Sequence, residues 1–267
     1  MITQIKSLAN QYYDEIVEIR RHLHQYPELS FKEHKTSMYI KEVLKKWNIS
    51  YKDGIANNGI MVLLHGKNPE SKVIALRADF DALPIYEDND VDYCSKNFGV
   101  MHACGHDAHT ASLLGVVKIL NELSEYWRGT IKCIFQPAEE MLPGGAKQMI
   151  KEGVLENPQV NKILGQHVFP DLEKGKVGFK CGKYMASTDE IYISVKGKGG
   201  HAALPDKNNN PILAAASLIT TLDKFFTKNN SNNSVFAIGY INGVGSTNII
   251  PEFVELKGTF RAIDEEY

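Results

Sequence analysis

Apolar residues recur at three- and four-residue steps through Ile5, Leu8, Tyr12, Ile16, Ile19 and Leu23, which predicts an opening helix. The segment QYPELSF interrupts it, because Pro27 disfavours helix at Tyr26. Met38, Ile40, Val43, Leu44 and Trp47 predict a second helix over 33–47. Two short apolar runs follow, IMVLLHG and KVIALRADFDALP, each bounded by Gly, Pro or Asn in the manner of strands. HTASLLGVVKILNEL predicts a helix, GTIKCIFQPAEE a buried strand, GGAKQMIKEG a helix and NKILGQHVF a further strand. This alternation predicts an α/β fold, a sheet layered by helices.

The pattern changes near Lys183. STDEIYISVKGKGG alternates apolar and polar residues, as a half-exposed strand does. PILAAASLITTLDKFF is helical, with Pro211 in its first turn. SVFAIGYING and EFVELKGTFRA alternate again. A β-α-β-β order predicts an α+β unit, an antiparallel sheet with helices on one face. The closing DEEY reads as the start of a second helix for that unit, whose last strand lies further on. The expected division is 1–183 and 184–267.

Composition narrows the function. Net charge is −2, from 30 basic and 32 acidic side chains, so neither nucleic acid nor an anionic membrane is an expected partner. No run approaches 18 apolar residues, and the start of the chain has no apolar signal core, so a cytoplasmic location is expected. Four cysteines are too few for a disulfide scaffold and form no CxxC pair.

The chemistry concentrates in MHACGHDAH, residues 101–109. Cys104 and His106, two apart, suit a loop in which thiolate and imidazole converge on one ion. A polar loop with one packed cysteine, or a cysteine nucleophile with a histidine base, fits the nonapeptide as well. Three strand ends add weight to the metal reading. Asp79 and Asp81 follow VIAL, Glu139 and Glu140 follow IKCIF, and His167 follows ILG. Sites in open α/β sheets form beyond the carboxyl ends of strands. Neighbours on an extended segment point in opposite directions, so one of the two glutamates can ligate metal while the other faces a water as general base.

The motifs RRHLHQYPELSFKE, LRADFDALP, MHACGHDAHTA, FQPAEE, GGAKQMI, GQHVFP, GKGGHAALP and TNIIP together resemble the co-catalytic-metal aminoacylase and carboxypeptidase family. The resemblance spans the chain. It points to the amidohydrolase branch of hippurate hydrolase, N-acyl-amino-acid amidohydrolases, N-acetyldiaminopimelate deacetylase and auxin-conjugate hydrolases. It implies a two-metal catalytic domain with a mixed sheet and an inserted lid domain that commonly dimerises. Carried onto this sequence, Cys104, His106, Glu140 and His167 match metal ligands, with the cysteine bridging two ions. Glu139 matches the general base, and Asp81 the acid that orients the ligands. Asp79 stands where other branches place a histidine ligand.

In the lid, the resemblance gives His201 the role of supporting the oxyanion in a neighbouring subunit's site. Asn248 and Arg261 match a pair that holds the substrate carboxylate. The implied activity is hydrolysis of N-acyl amino acids with two divalent ions, zinc first, with manganese, cobalt or nickel as alternatives. A carboxypeptidase or dipeptidase on the same scaffold, and an inactive metal-binding remnant, are the competing readings. The family's last metal ligand is a histidine after the lid. No histidine lies beyond His201, so an incomplete, unstable and inactive chain is expected. Of the remaining candidates, His22 and His24 read as structural or surface residues and His34 and His65 as solvated. His102 and His109 flank the metal loop, while Cys94, Cys133 and Cys181 read as small packing residues.

Overall fold

The opening apolar period folds as α1 (Ile2–Gln25), and the next as α2 (His34–Lys46). Five strands follow, β1 (Lys52–Ile55), β2 (Gly59–His65), β3 (Val73–Asp79), β4 (Thr130–Gln136) and β5 (Lys162–Gly165). Helices α3 (His106–Glu122) and α4 (Gly145–Lys151) lie between the later strands. The computed structural model describes residues 1–228, 234–264 and 266–267. It divides into two compact units, residues 1–171 and 172–267, a boundary that falls ahead of the change in residue character near Lys183.

In the first unit the sheet order is β1-β2-β4-β3-β5. β2 runs antiparallel to β1 and β4, while β3 is parallel to both β4 and β5, so the sheet is mixed. Strand alternation sorts its side chains onto two faces. Ile60, Val62, Leu64, Cys133 and Phe135 pack with Leu23, Leu44 and Leu114 of α1, α2 and α3. Met61, Ala75 and Ile134 face the other way, against Met149 of α4 and Val154. Because β3, β4 and β5 are parallel, their carboxyl ends share one edge of the sheet. Asp79 pairs with Gln136 in register, so Phe80–Asp81 and Pro137–Glu140 leave the sheet at the same level.

The second unit contains β6 (Ser187–Lys196), β7 (Gly200–His201), α5 (Pro211–Lys228), β8 (Ser234–Asn242), β9 (Ile249–Ile250) and β10 (Phe253–Ala262). β10 lies between β6 and β8, antiparallel to both. Ala215, Leu218 and Ile219 of α5 cover one face of this sheet, against Ile193, Ile238, Val254 and Leu256. The β-α-β-β order expected of the segment is present. The expected helix start at DEEY falls partly on Glu265, which lies outside the described residues. One expectation fails here. Cys181, read as a packing residue, is exposed, since the stretch around it forms no strand or helix to pack it. Among the described residues no helix is long and apolar enough to cross a membrane.

Candidate metal centre and active site

Helix α3 begins at His106, three residues before the apolar pattern suggests, with Gly105 as its left-handed entry residue at φ +88°. That conformation disfavours any side chain, and a Cβ there would stand 2.4 Å from Val168 Cγ2. Glycine is therefore required where the loop after β5 crosses the start of α3. The crossing brings Cys104, His106 and His167 together, with ligand atoms all within 4.8 Å of one another. His106, Glu139 and Glu140 form a second such group, so His106 belongs to both.

The hydrogen bonds fix which nitrogens are available. His106 Nδ1 lies 3.0 Å from the Asp81 carbonyl oxygen and 3.2 Å from Asp81 Oδ1, both acceptors, so Nδ1 carries the proton. In the neutral imidazole, Nε2 then bears the lone pair. That atom is buried with no partner, as is Glu140 Oε1, and the two are 3.7 Å apart. Buried polar atoms are almost always satisfied, so this pair is anomalous in the protein alone. A divalent cation beside them would satisfy both. In His167, Nδ1 donates to the Val168 carbonyl at 2.7 Å, which leaves Nε2 as a lone pair 3.3 Å from Cys104 Sγ. Thiolate, imidazole and carboxylate donors form a set suited to zinc and neighbouring divalent metals.

Asp79, His106 and His109 also lie close enough to form a group, but both nitrogens of His109 are taken. Nδ1 donates to Asp79 Oδ1 at 2.7 Å, and Nε2 accepts the Val168 N–H at 2.9 Å. His109 and Asp79 thus brace the loop bearing His167. Asp79 also pairs with Arg77 at 2.7 Å. Burial raises its carboxyl, but the His109 hydrogen bond and the Arg77 charge outweigh that and hold it at about 2.

Charge in the cluster is strongly negative. Burial disfavours the imidazolium of His106, yet Asp81, Cys104 and Asp79 outweigh it and push its pKa up to about 11. A cluster that pulls a proton onto a buried imidazole so firmly is short of positive charge. Glu139 is raised, first by burial and then by the neighbouring Glu140 carboxylate. A proton-attracting imidazole thus lies beside a carboxylate held above its ordinary pKa.

Residues 75–256 match Peptidase family M20/M25/M40. The chain is 40% identical over 264 residues to the N-acyl-L-amino acid amidohydrolase of Geobacillus stearothermophilus, covering 98% of this chain and 70% of that one. The chain belongs to this family, on its amidohydrolase branch. It is also 42% identical over 254 residues to the N-acetyl-L-cysteine deacetylase of Bacillus subtilis (strain 168), covering 94% of this chain and 60% of that one. Among solved structures it resembles the Bacillus subtilis YXEP protein, a dinuclear metal-binding peptidase from the M20 family. The identity is 37% and the TM-score 0.77, over 96% of this chain and 66% of that one. The chain thus spans roughly 60–70% of the length of these M20 relatives.

In the second unit of this M20 chain, β7 pairs with β9, so His201 stands opposite Ile249. The Ala202 N–H donates to the Asn248 carbonyl at 2.9 Å, which places His201 and Asn248 on adjoining strands of one small ladder. His201 is exposed, and its Nδ1 accepts the Ala203 N–H at 3.1 Å. Asn248 Oδ1 accepts from Ser246 Oγ. Arg261 lies near the far end of β10, paired with Thr188 and Val235 and exposed.

His24 is structural, one of the two positions its sequence context allows. It is buried: Nδ1 lies 2.8 Å from Asp107 Oδ2 and Nε2 lies 3.0 Å from Glu87 Oε1, while Arg20 adds a 2.7 Å ion pair to Asp107. The network anchors α1 to the first turn of α3, next to His106. His22 stacks on Tyr39 with ring centroids 3.8 Å apart. His102 is buried with both ring nitrogens unpartnered, and burial holds it down at about 4. His34 and His65 are exposed, and Cys133 is fully buried, as their sequence contexts indicate.

Proposed function

We propose that the protein hydrolyses the amide bond of N-acyl amino acids, using two divalent ions held by Cys104, His106, Glu140 and His167. The observation that carries the proposal is that His106 belongs to two ligand groups, one with Cys104 and His167 and one with Glu139 and Glu140, while its Nε2 and Glu140 Oε1 are buried without a partner. Relatives named as an amidohydrolase and a deacetylase support the substrate class. When bound, the ions polarise the scissile carbonyl and make water nucleophilic near neutral pH.

The chain's own residues supply the rest. Glu139 takes a proton from the attacking water and returns one to the leaving amine, and its raised pKa suits that exchange. Asp81 accepts the Nδ1 proton of His106, which fixes the tautomer and keeps Nε2 free for metal. His201 supports the oxyanion in the site of a second subunit, which makes the working form a homodimer joined through the second unit. Arg261 and Asn248 hold the free carboxylate of the substrate, for which a guanidinium fork is well shaped. Zinc is the metal favoured by the donor set. A thiolate ligand and the exposed free Cys181 suit a reducing compartment, which supports a cytoplasmic location.

The test is turnover by the full-length protein of N-acetyl and N-benzoyl amino acids beside dipeptides, before and after chelation. Acyl-amino-acid hydrolysis that is lost on chelation and restored by zinc supports the proposal. Hydrolysis of dipeptides alone would make the protein a dipeptidase, and turnover that survives chelation would overturn the metal assignment.

A further inference from the structure

Glu33 has no exposed surface and plays no part in the chemistry above. Its Oε1 accepts two backbone N–H groups, from Phe31 at 2.9 Å and from Ala138 at 2.8 Å. Its Oε2 accepts from Asn58 Nδ2 at 3.0 Å. Phe31 and Ala138 are both non-glycine residues in the left-handed region, at φ +65° and +48°. Side chains with a Cβ avoid that region, and such residues persist where their surroundings over-determine them. Here one buried carboxylate takes the N–H of both.

Ala138 directly precedes Glu139. On the other side of Glu139, the Glu140 N–H donates to Asp81 Oδ2 at 2.9 Å. The general base therefore sits in a three-residue segment held at both ends by buried carboxylates from distant parts of the chain. Asn58 is itself fixed, since its Oδ1 lies 2.9 Å from His34 Nδ1 and its carbonyl accepts from Ser37 Oγ at 2.7 Å. A rigid chain of contacts thus runs from the first turn of α2 to the backbone beside Glu139.

We propose that Glu33 is a positioning residue for the reaction: by holding Ala138 in its left-handed conformation it aims the Glu139 carboxylate. The inference rests on the reading of Glu139 as general base. Misplacing a reacting group by about 1 Å can cost on the order of 10²-fold in rate, so the aim of Glu139 is worth a dedicated support.

The test uses the full-length, metal-loaded protein. In Glu33→Gln the side chain keeps its shape, but its amide NH2 must face either Asn58 Nδ2 or the two backbone N–H groups, donor against donor. We expect kcat to fall roughly 10²-fold, with KM and metal content within about twofold of wild type and faster amide hydrogen exchange in residues 138–140. The double variant Glu33→Gln/Asn58→Asp gives the new NH2 an acceptor, and kcat and exchange should return to within a few-fold of wild type. Glu139→Gln is the control for the underlying reading. If Glu139→Gln is inactive while Glu33→Gln keeps its kcat, only the present inference falls. If Glu139→Gln stays active, the general-base reading falls, and exchange in residues 138–140 alone decides whether Glu33 holds the segment. Should Glu33→Gln fail to fold, the double variant decides: recovered kcat and slow exchange support the inference, and a double variant that is inactive or unfolded overturns it.

Discussion

Asp81 Oδ2 accepts the backbone N–H of Glu140 at 2.9 Å, while Asp81 Oδ1 lies 3.2 Å from the Nδ1 of His106. One buried carboxylate thus sets both the tautomer of an imidazole from α3 and the path of the loop after β4. Ser30 Oγ donates to the same Oδ2 at 2.7 Å, which closes the arrangement against the segment before α2.

Asp81→Asn keeps the shape but swaps an acceptor oxygen for a donor NH2 against Ser30, Glu140 or His106. Substituting a group that orients a metal ligand commonly costs 10- to 100-fold in metal affinity. We therefore expect zinc affinity, measured by competition with a chromophoric chelator, to fall by about that range, and turnover at limiting zinc to fall with it. Unchanged affinity would remove Asp81 from the metal centre.

Cys104→Ser replaces a thiolate with a poorer ligand for these ions. Metal content per chain after gel filtration should drop, while the far-ultraviolet circular dichroism spectrum stays that of the parent. Full metal retention would show that Cys104 is not a ligand.

Acid sensitivity follows from Glu87. Burial raises its carboxyl, but donors from Asn89 at 2.9 Å, His24 at 3.0 Å and the Ser95 N–H at 2.7 Å outweigh that and hold it at about 2. Its folded pKa lies below its ordinary value of 4.5, so its stabilisation is present above that value and is lost as pH falls toward 2. His24 is raised in the same network by Asp107 and Glu87, so its share is present below its ordinary value of 6.5 and lost as pH rises through its folded value. Glu87→Gln should lower Tm at pH 6 and flatten the decline of Tm below about pH 4.5. A variant with the wild-type acid slope would contradict this assignment.

Lys132 is fully buried on β4, and its Nζ donates to the carbonyls of Val154, Glu156 and Pro158 at 2.9, 2.8 and 3.0 Å. Lys132→Met fills the same space and leaves three acceptors without a donor. Only the Val154 carbonyl bond is fully buried, and water reaches the Glu156 and Pro158 carbonyls more easily, so the cost of about one unsatisfied buried group, roughly 1–3 kcal/mol, is expected by urea unfolding. A loss below about 0.5 kcal/mol would show that water takes the place of the ammonium.

The strands and helices that carry the centre are legible because their signals are local. VIAL and IKCIF are largely apolar runs that give way to polar residues within three positions, at Arg77 and Asp79 and at Gln136, and parallel pairing then brings those ends to one edge of the sheet. The adjacency of Glu139 and Glu140 is legible for the same reason. His24 is not, because its partners Glu87 and Asp107 lie 63 and 83 residues away and nothing near it in sequence marks burial. Its helical spacing from His22 leaves structural and surface positions both open, and the α1–α3 packing decides for the first. The role of Lys132 is hidden in the same way: its strand reads as buried, but the carbonyls that take its ammonium lie 22 to 26 residues away, in the turns after α4. The left-handed Gly105 shows its purpose only once the chain after β5 is seen to cross it.

Metal content and turnover of Glu139→Gln, measured on one preparation of the full-length protein, test the central claim most directly. General bases typically contribute 10²–10⁴ in rate. The account predicts that hydrolysis of an N-acyl amino acid falls by about that factor while bound metal per chain matches the parent. A variant that keeps its metal and turns over at close to the parental rate would contradict it.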